Sequence, residues 1–416
     1  MKVIRTYTSL LLAIFITVSV TSCGTVSKPS NLMDNILSAT VPSRQIDTVF
    51  IESMADVSLK LFKNSITNRE NSIISPLSVI LALAIIANGA DGETLAQIEA
   101  LLGIGISLTD LNEYLHSYIN NLPSTVRSRL KIANSLWFRD DNRRLHIERI
   151  FLQINADYYN TEAFTSEFNE NTINDINSWV NVNTDGLINE IINNIDPNEV
   201  LYIVNTVLFD AIWSEPYVEH DIERDGIFTN IYGESQSVEF MHSKEGLLLD
   251  DGMATGFIKT YADGYSFLAL LPNIDVPIES YIESLTGAMF MDILANVKNT
   301  TVETIMPKFE YEYEIRLNDI LKDLGITDAF DHTKADFSNM ASMSNGNIYI
   351  SEVLHKAYIK VDERGTKAGA STMARAEDTS SNPNIIPIVR LNRPFIYAII
   401  DNASALPIFI GTVMLF

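Results

Sequence analysis

The sequence predicts an α+β fold built around a large β-sheet. Helical spacing of apolar residues dominates the first half of the chain, and strand-like alternation dominates the second half. The apolar run 201–208 has the length of a strand and is typical of one that is buried on both faces. Helices and strands that are segregated along the chain favour an α+β architecture.

The helical predictions begin near residue 47. Phe50, Met54, Val57 and Leu61 repeat at helical spacing. Pro76 suits the first turn of a helix, and the apolar segment behind it is expected to be buried all round and to end at 88–92. The predicted helices cover 47–63, 79–87, 93–102, 173–182 and 315–324.

Strands are predicted wherever apolar and polar residues alternate or a short apolar run lies between turn residues. The sequence shows no internal repeat and no low-complexity block. The predicted strands and hairpins cover 130–138, 201–208, 228–241, 256–271, 301–309, 347–361, 385–400 and 407–415.

The 416-residue chain carries a formal net charge of −24, which disfavours nucleic acid as a partner because an acidic surface repels phosphates. We expect a monomer. The six histidines form no His-Glu-x-x-His pattern, and no Gly-x-Ser-x-Gly elbow is present. Glu310 and Glu312 are better explained as a charged strand face than as a glycosidase pair. We predict no catalytic residue, no metal and no cofactor, although a dispersed triad would leave no sequence motif.

The N-terminus has the features of an export signal. Lys2 and Arg5 precede the short apolar run 10–20, and Cys23, the sole cysteine, follows in a context that resembles a bacterial lipobox. We expect a lipoprotein signal peptide at 1–22, a lipidated Cys23 with a flexible tether at 23–44, and one domain at 45–416. The predicted location is the bacterial cell envelope, through a lipid anchor in the membrane; an ordinary secretory signal and a secreted protein are the alternative.

Segment 366–376 alternates between small uncharged residues and a mixed set. Lys367, Gly369, Ser371, Met373 and Arg375 occupy the positions between the small residues. In a strand these two sets would point to opposite faces, so an exposed loop here could become a strand within an existing sheet. The small residues are Thr366, Ala368, Ala370, Thr372, Ala374 and Ala376.

Several motifs, in order and spacing, resemble the serpin family over about residues 45–416. The resemblance implies three β-sheets, eight to nine helices and an exposed reactive-centre loop at about 363–385. The motifs are Asn71-Ser-Ile-Ile-Ser-Pro-Leu-Ser78, Asn88-Gly-Ala-Asp-Gly-Glu-Thr94, 204–213, Met306-Pro-Lys-Phe309, Leu354-His-Lys-Ala357 with the hinge pattern Asp362-Glu-Arg-Gly-Thr366, Leu391-Asn-Arg-Pro-Phe-Ile-Tyr397, and 407–411.

The family's implied activity is suicide inhibition of a protease rather than enzyme catalysis. A serine or cysteine protease, the implied partner, would attack the loop and form a covalent acyl-enzyme. The cleaved loop would then insert into the central sheet. A non-inhibitory serpin acting as a binding module is the alternative. We predict an inhibitor because the hinge, with Glu363 and Gly365, leads into small residues on the face that would be buried, where a charge would cost several kcal/mol. Lys367 and Arg375 would lie on the other face, with access to water.

Counting from Gly365 as in typical members places the scissile bond at Thr379–Ser380, which suits an elastase-like, subtilisin-like or papain-like protease. Cleavage at Arg375–Ala376 is the alternative and suits a trypsin-like protease. The hinge departs from the family by having Lys367 where Glu is common, and 380–394 is a few residues longer than usual.

Further residues match the family's support positions. Trp213, Lys308 and Glu363 match the breach, the end of the sheet where insertion begins; Lys308 and Glu363 are expected to form an ion pair there. The shutter, a hydrogen-bonded cluster that lets the central strands part, is matched by Ser75, Ser78, Asn205 and His355.

Overall fold

The computed structural model describes residues 28–66, 69–103, 105–140, 145–196, 198–344, 347–366 and 386–416. Within these ranges there are nine α-helices. They are α1 (Thr48–Ser65), α2 (Pro76–Ala87), α3 (Gly92–Leu102), α4 (Leu108–Asn121), α5 (Arg149–Tyr159), α6 (Glu170–Asn183), α7 (Ile278–Ser284), α8 (Gly287–Ala295) and α9 (Asn318–Asp323).

The strands of the described ranges form three sheets. They are β1 (Ser30–Asn31), β2 (Ser72–Ile74), β3 (Ser128–Arg139), β4 (Leu145–Ile147), β5 (Glu162–Ser166), β6 (Leu201–Ile212), β7 (Ile222–Thr229), β8 (Ser235–Asp250), β9 (Ala254–Thr260), β10 (Tyr265–Pro272), β11 (Lys298–Pro307), β12 (Phe309–Arg316), β13 (Ala341–Met343), β14 (Glu352–Val361), β15 (Gly365–Thr366), β16 (Ile388–Arg390), β17 (Phe395–Asp401) and β18 (Pro407–Val413).

The central sheet has seven strands in the order β1-β5-β3-β6-β15-β14-β12. Strands β6 and β14 run parallel and pair directly from Glu352 opposite Tyr202 to His355 opposite Asn205. Beyond that stretch the two-residue strand β15 lies between them. The two middle strands are therefore joined at one end and separated by the hinge segment at the other.

The second sheet has nine strands and the third pairs β13 with β4. The path of the nine-stranded sheet is β16-β11-β8-β9-β10-β17-β18-β2, and β7 pairs with β8 beside it. Apolar side chains from both large sheets, α1 and α2 share the main core. Three sheets with nine helices confirm the predicted α+β class and serpin-type architecture.

The outer face of the central sheet has an apolar cover of its own, which we call the outer cluster. Helix α6 and the segment after it pack over this face. On β6, Tyr202 and Val204 point into the outer cluster, whereas their odd-numbered neighbours point into the main core. The members of the outer cluster are Trp137, Phe168, Ile176, Val180, Ile188, Ile191, Ile192, Tyr202, Val204 and Leu354.

Local sequence signals account for the first helices. The Asp47 carboxylate caps α1 by accepting a hydrogen bond from the Phe50 N–H, 3.0 Å away. Ser75 caps α2, and Pro76 takes its first position, where no N–H is needed. Every residue of α2 is buried, which confirms the prediction for 79–87.

Three predicted boundaries were wrong. Ile315 and Arg316 end strand β12 instead of starting a helix, because the pairing of β12 with β14 continues through Arg316. The strand expected over 347–361 begins only at Glu352. The strand expected over 385–400 is two strands, β16 and β17, with the turn around Pro394 between them.

The N-terminal segment also differs from the predicted flexible tether. Strand β1 pairs with the outer strand β5 of the central sheet. Leu32, Met33 and Ile36 pack against the main core, and the Asp157 carboxylate accepts a hydrogen bond from the Ala39 N–H at 2.7 Å. A few apolar residues in a polar stretch are enough to dock the segment from Ser30 onward.

Candidate functional site

The hinge lies inside the central sheet. Gly365 is opposite Ile212 and Thr366 is opposite Ala211 on β6, while Thr366 also pairs with Val361 on β14. Thr366 is 3% exposed, and its hydroxyl lies 2.5 Å from the Tyr261 hydroxyl. The first residue of the alternating segment thus points into the protein.

Trp213 fixes the backbone of the hinge from the end of β6. Its indole N–H donates to the Asp362 carbonyl at 2.9 Å, and its backbone N–H donates to the Arg364 carbonyl at 2.8 Å. The indole stacks on the Tyr261 ring, with centroids 4.4 Å apart. Trp213 therefore connects the hinge to the nine-stranded sheet, to which Tyr261 is adjacent.

Lys308 and Glu363 form the expected ion pair, with nitrogen and oxygen 2.9 Å apart. Lys308 contacts Glu239 at the same distance. Burial lowers the pKa of Lys308, but the two carboxylates outweigh this effect and the net pKa is raised. Burial raises the pKa of Glu363, but the hydrogen bond and positive charge of Lys308, a backbone hydrogen bond and the charge of Arg364 together outweigh it, so the net pKa is lowered. Both groups are charged at neutral pH.

A second ion pair at this end of the sheet was not predicted. The Lys259 ammonium is 3% exposed and lies 2.8 Å from the Glu245 carboxylate. It also sits 4.4 Å from the Tyr217 ring centroid and 5.5 Å from that of Trp213. The Tyr217 backbone N–H donates to the Glu363 carbonyl at 2.8 Å, so both residues whose rings contact Lys259 also bind the hinge.

The residues matched to the shutter meet where β6 and β14 pair directly. His355 lies opposite Asn205, and its Nε2 accepts a hydrogen bond from the Ser75 N–H at 3.3 Å. The Ser75 hydroxyl accepts from the Ser78 N–H at 3.4 Å, and the Asn205 amide donates to Asn134, which was not predicted, at 2.5 Å. The cluster therefore links α2 to the strands that would have to part.

Three buried polar atoms of this cluster have no hydrogen-bond partner among the described residues. They are Ser78 Oγ, Asn205 Oδ1 and His355 Nδ1. Burial lowers the pKa of His355 to about 4, so the imidazole is neutral at physiological pH. Unpaired buried polar groups cost free energy, so this part of the sheet can gain by accepting a new polar partner.

The remaining site residues and Cys23 lie outside the described ranges. In the described part of the chain there is no group of three or more His, Cys, Asp or Glu residues that could hold a metal ion. In the same ranges no helix is long and apolar enough to cross a bilayer. The site residues outside the description are Ala368, Ala370, Thr372, Ala374, Arg375, Ala376, Thr379 and Ser380.

The chain matches a known family over most of its length. A model of the family described as Serpin (serine protease inhibitor) matches residues 52–415. The chain belongs to the serpin family. This serpin is 28% identical to neuroserpin of Homo sapiens over 386 residues, which are 87% of this chain and 91% of neuroserpin.

Solved structures of tengpin, a thermophilic serpin, are also similar. The native state is 49% identical and superposes with a TM-score of 0.90 over 94% of this chain and 100% of tengpin. The latent state is 48% identical, with a TM-score of 0.79 over 89% and 99%.

Proposed function

We propose that this serpin inhibits serine or cysteine endopeptidases by inserting its cleaved loop between β6 and β14. The acyl-enzyme formed at the loop would be carried along the sheet before it can be hydrolysed. The observation that carries the proposal is the position of Gly365 and Thr366, which already pair as the first two residues of such a strand.

The register of these two residues tests whether the rest of the loop is compatible with insertion. Continued along β6, it would bring Ala368 opposite Phe209 and Ala370 opposite Val207. Phe209 and Val207 point into the main core, and directly opposite residues of an antiparallel pair share a face. The small residues of the loop would therefore occupy the buried face, where large or charged side chains would not fit.

The same register supports a role for the shutter. Thr372 would fall between Asn205 and His355, which now pair with each other. Its hydroxyl can donate and accept, and both neighbours have a buried polar atom without a partner among the described residues. Insertion could thus satisfy polar groups that the uncleaved protein leaves unpaired.

The length of the sheet favours Thr379–Ser380 as the scissile bond. Strand β6 begins at Leu201, which would lie opposite Ala376. A cut after Thr379 leaves three residues beyond the paired strand to reach the protease. After a cut at Arg375, the acyl bond to the protease would lie within the paired part of the inserted strand. Some of the strand's hydrogen-bonded pairs would then have to break to make room for the protease.

A gel assay with an elastase-like protease tests the proposal. We expect a band with the summed mass of inhibitor and protease that survives denaturation, and a large rise in the melting temperature after loop cleavage. Mass spectrometry of the released peptide would identify the scissile bond. Full protease activity with a cleaved, unstabilised serpin would contradict inhibition and would favour the binding-module alternative.

We further propose that the protein is exported and anchored by a lipid on Cys23. The support is the signal-like segment before the sole cysteine. Fractionation of cells that express the full chain should place it with membranes, and Cys23→Ala should release it. An unmodified Cys23 in the mass spectrum of the mature protein would contradict the anchor.

A further inference from the structure

Three connecting segments of the nine-stranded sheet enclose a concave pocket, which we call the Arg393 pocket. The segments are the turn 229–233 between β7 and β8, the stretch 272–279 from the end of β10 into α7, and Arg393–Pro394 before β17. The pocket has a volume of about 290 Å³. This volume is near the lower limit for pockets that hold small organic ligands. No residue of the hinge or the shutter lines it.

The walls of the Arg393 pocket are mostly apolar. Ile274 lies on its wall and is 86% exposed, and Tyr232, on the turn beside it, is 57% exposed. A ligand in the pocket would remove part of this apolar surface from water, which favours binding. The apolar wall residues include Ile231, Pro272, Ile274, Val276, Pro277 and Pro394.

The Arg393 guanidinium is a half-buried cation with few protein partners. Its Nη2 donates to the Pro272 carbonyl at 2.7 Å. A guanidinium has five N–H groups, and in the described part of the chain no second acceptor and no carboxylate is bound to this one. Burial lowers the pKa of Arg393, and no carboxylate opposes this effect. The group nevertheless stays charged at neutral pH, so it can bind an anion.

The other polar groups on the wall are already engaged. The Asn230 side-chain oxygen accepts hydrogen bonds from backbone N–H groups of its own turn. The Asn273 amide donates to the Gly252 carbonyl at 2.9 Å. Glu279 forms an ion pair with Arg69 at 3.1 Å. Among these groups, the Arg393 guanidinium therefore has the largest unused capacity for hydrogen bonds.

The pocket is formed before any ligand arrives. The Thr229 N–H donates to the Asn392 carbonyl at 2.8 Å, which joins the turn to the segment that carries Arg393. The Asn273 N–H donates to the Met253 carbonyl at 2.7 Å. Prolines on two of the three segments restrict the backbone further. A ligand would thus have little of the protein to order on binding.

We propose that the Arg393 pocket binds a small monocarboxylate with an apolar tail, of the size of a medium-chain fatty acid. The carboxylate would accept hydrogen bonds from the Arg393 guanidinium, whose planar fork matches its geometry. The tail would lie along the apolar walls, where its burial adds to the affinity. This binding site does not depend on loop insertion.

The surrounding charges favour a monoanion over a phosphate. Glu234 and Asp275 lie on the segments that form the pocket, and Glu279 lines it. Arg69 is held by Glu279, so one cation is left for the ligand. A doubly charged phosphate would meet more repulsion here than a single carboxylate would, and its head would gain nothing from the apolar walls.

Isothermal titration calorimetry of the uncleaved protein tests the site with three probes. Sodium octanoate has both the carboxylate and the tail, 1-octanol has the tail without the charge, and acetate has the charge without the tail. We expect octanoate to bind at a single site, and each of the other two to bind at least about tenfold more weakly.

Substitution of Arg393 locates the carboxylate. Arg393→Gln should weaken octanoate binding about tenfold and leave the binding of 1-octanol unchanged, because only octanoate uses the charge. Arg224→Gln is the matched control. Arg224 pairs with Glu219 outside the pocket, so its loss should not change the affinity for octanoate.

Substitution of Ile274 locates the tail, and it keeps the test decisive if Arg393→Gln does not fold. Ile274 is highly exposed, so Ile274→Ser should fold and should weaken octanoate and 1-octanol alike. Ile150→Ser is its control, since Ile150 is 74% exposed on α5 and does not line the pocket.

Three results would overturn the proposal. They are the absence of binding at millimolar octanoate, equal affinities for octanoate and 1-octanol, and octanoate binding that neither Arg393→Gln nor Ile274→Ser weakens. The last result would place the octanoate elsewhere on the protein.

Discussion

Gly365 lies where the backbone of the hinge approaches β6 closely. A Cβ at this position would lie 2.0 Å from the Ala211 carbonyl oxygen and 2.7 Å from the Ile212 Cα. Backbone atoms in the middle of a sheet cannot move aside cheaply. Only glycine can therefore occupy this position while the hinge pairs with β6.

Replacing Gly365 with alanine should expel the hinge from the sheet at a steric cost of about 2 kcal/mol. We expect more cleaved serpin and less covalent complex on a denaturing gel. Gly246→Ala is the matched control, because no atom lies within 4 Å of its added Cβ. Equal complex formation by both variants would show that the hinge does not depend on this close approach.

His355 predicts a pH dependence at the residue scale. Its pKa of about 4 lies below the ordinary value of 6.5, so the unfolded chain binds a proton first as the pH falls. The stability that neutral His355 contributes is fully present above pH 6.5 and is lost between pH 6.5 and 4, by on the order of 3 kcal/mol. Urea unfolding of the uncleaved protein at pH 7.5 and pH 5 should show about 2 kcal/mol of this loss. His355→Gln should remove most of this pH dependence of the free energy of unfolding; a variant that loses as much stability between the two pH values as the unsubstituted protein would contradict the expectation.

At the scale of elements, the Lys259–Glu245 pair joins β9 to β8 and contacts both aromatic residues that hold the hinge. Breaking a buried pair leaves an uncompensated charge, whereas replacing both partners with apolar residues can be nearly neutral. We expect Glu245→Gln to lower the free energy of unfolding by about 3 kcal/mol, and Glu245→Leu with Lys259→Met to cost less. Urea unfolding of the uncleaved variants measures both changes in stability. A double variant with a lower free energy of unfolding than Glu245→Gln would contradict the expectation.

Elements with strong local signals could be predicted, and those that depend on distant partners could not. The apolar run of α2 strongly favoured a buried helix, and the apolar run of β6 strongly favoured a buried strand. Lys259 looks like an ordinary surface lysine within its strand, because Glu245 and Trp213 reach it from other strands. The start of α9 was misplaced for a similar reason, since Ile315 and Arg316 are held extended by β14.

For the candidate site, alternation in the sequence predicts which loop residues would face inward after insertion, and Thr366, the member of that set which the structure describes, is buried. The sequence could not show what covers the opposite face. That cover comes from α6 and from residues that follow it, which are distant in sequence from the loop.

At the scale of the whole molecule, insertion requires that the entire buried face of the new strand be small and uncharged. Ala370→Arg would place a cation opposite Val207 in the main core, at a cost of several kcal/mol. We expect the protease to cleave this variant and escape with full activity. Ala370→Ser, which keeps the side chain small, should still form the covalent complex; a complex with the arginine variant at undiminished yield would contradict loop insertion.

The docking of β1 against β5 sets how far the body could stand from a membrane. If Cys23 carries a lipid, the linker between the membrane and the folded body ends at Ser30, where β1 begins. A linker of that length spans at most about 25 Å. A free leader as far as residue 45 would have reached about 75 Å. An inhibitor held in this way would be confined to a thin layer at the lipid surface. It would encounter proteases that act at that surface far more often than proteases that diffuse farther away.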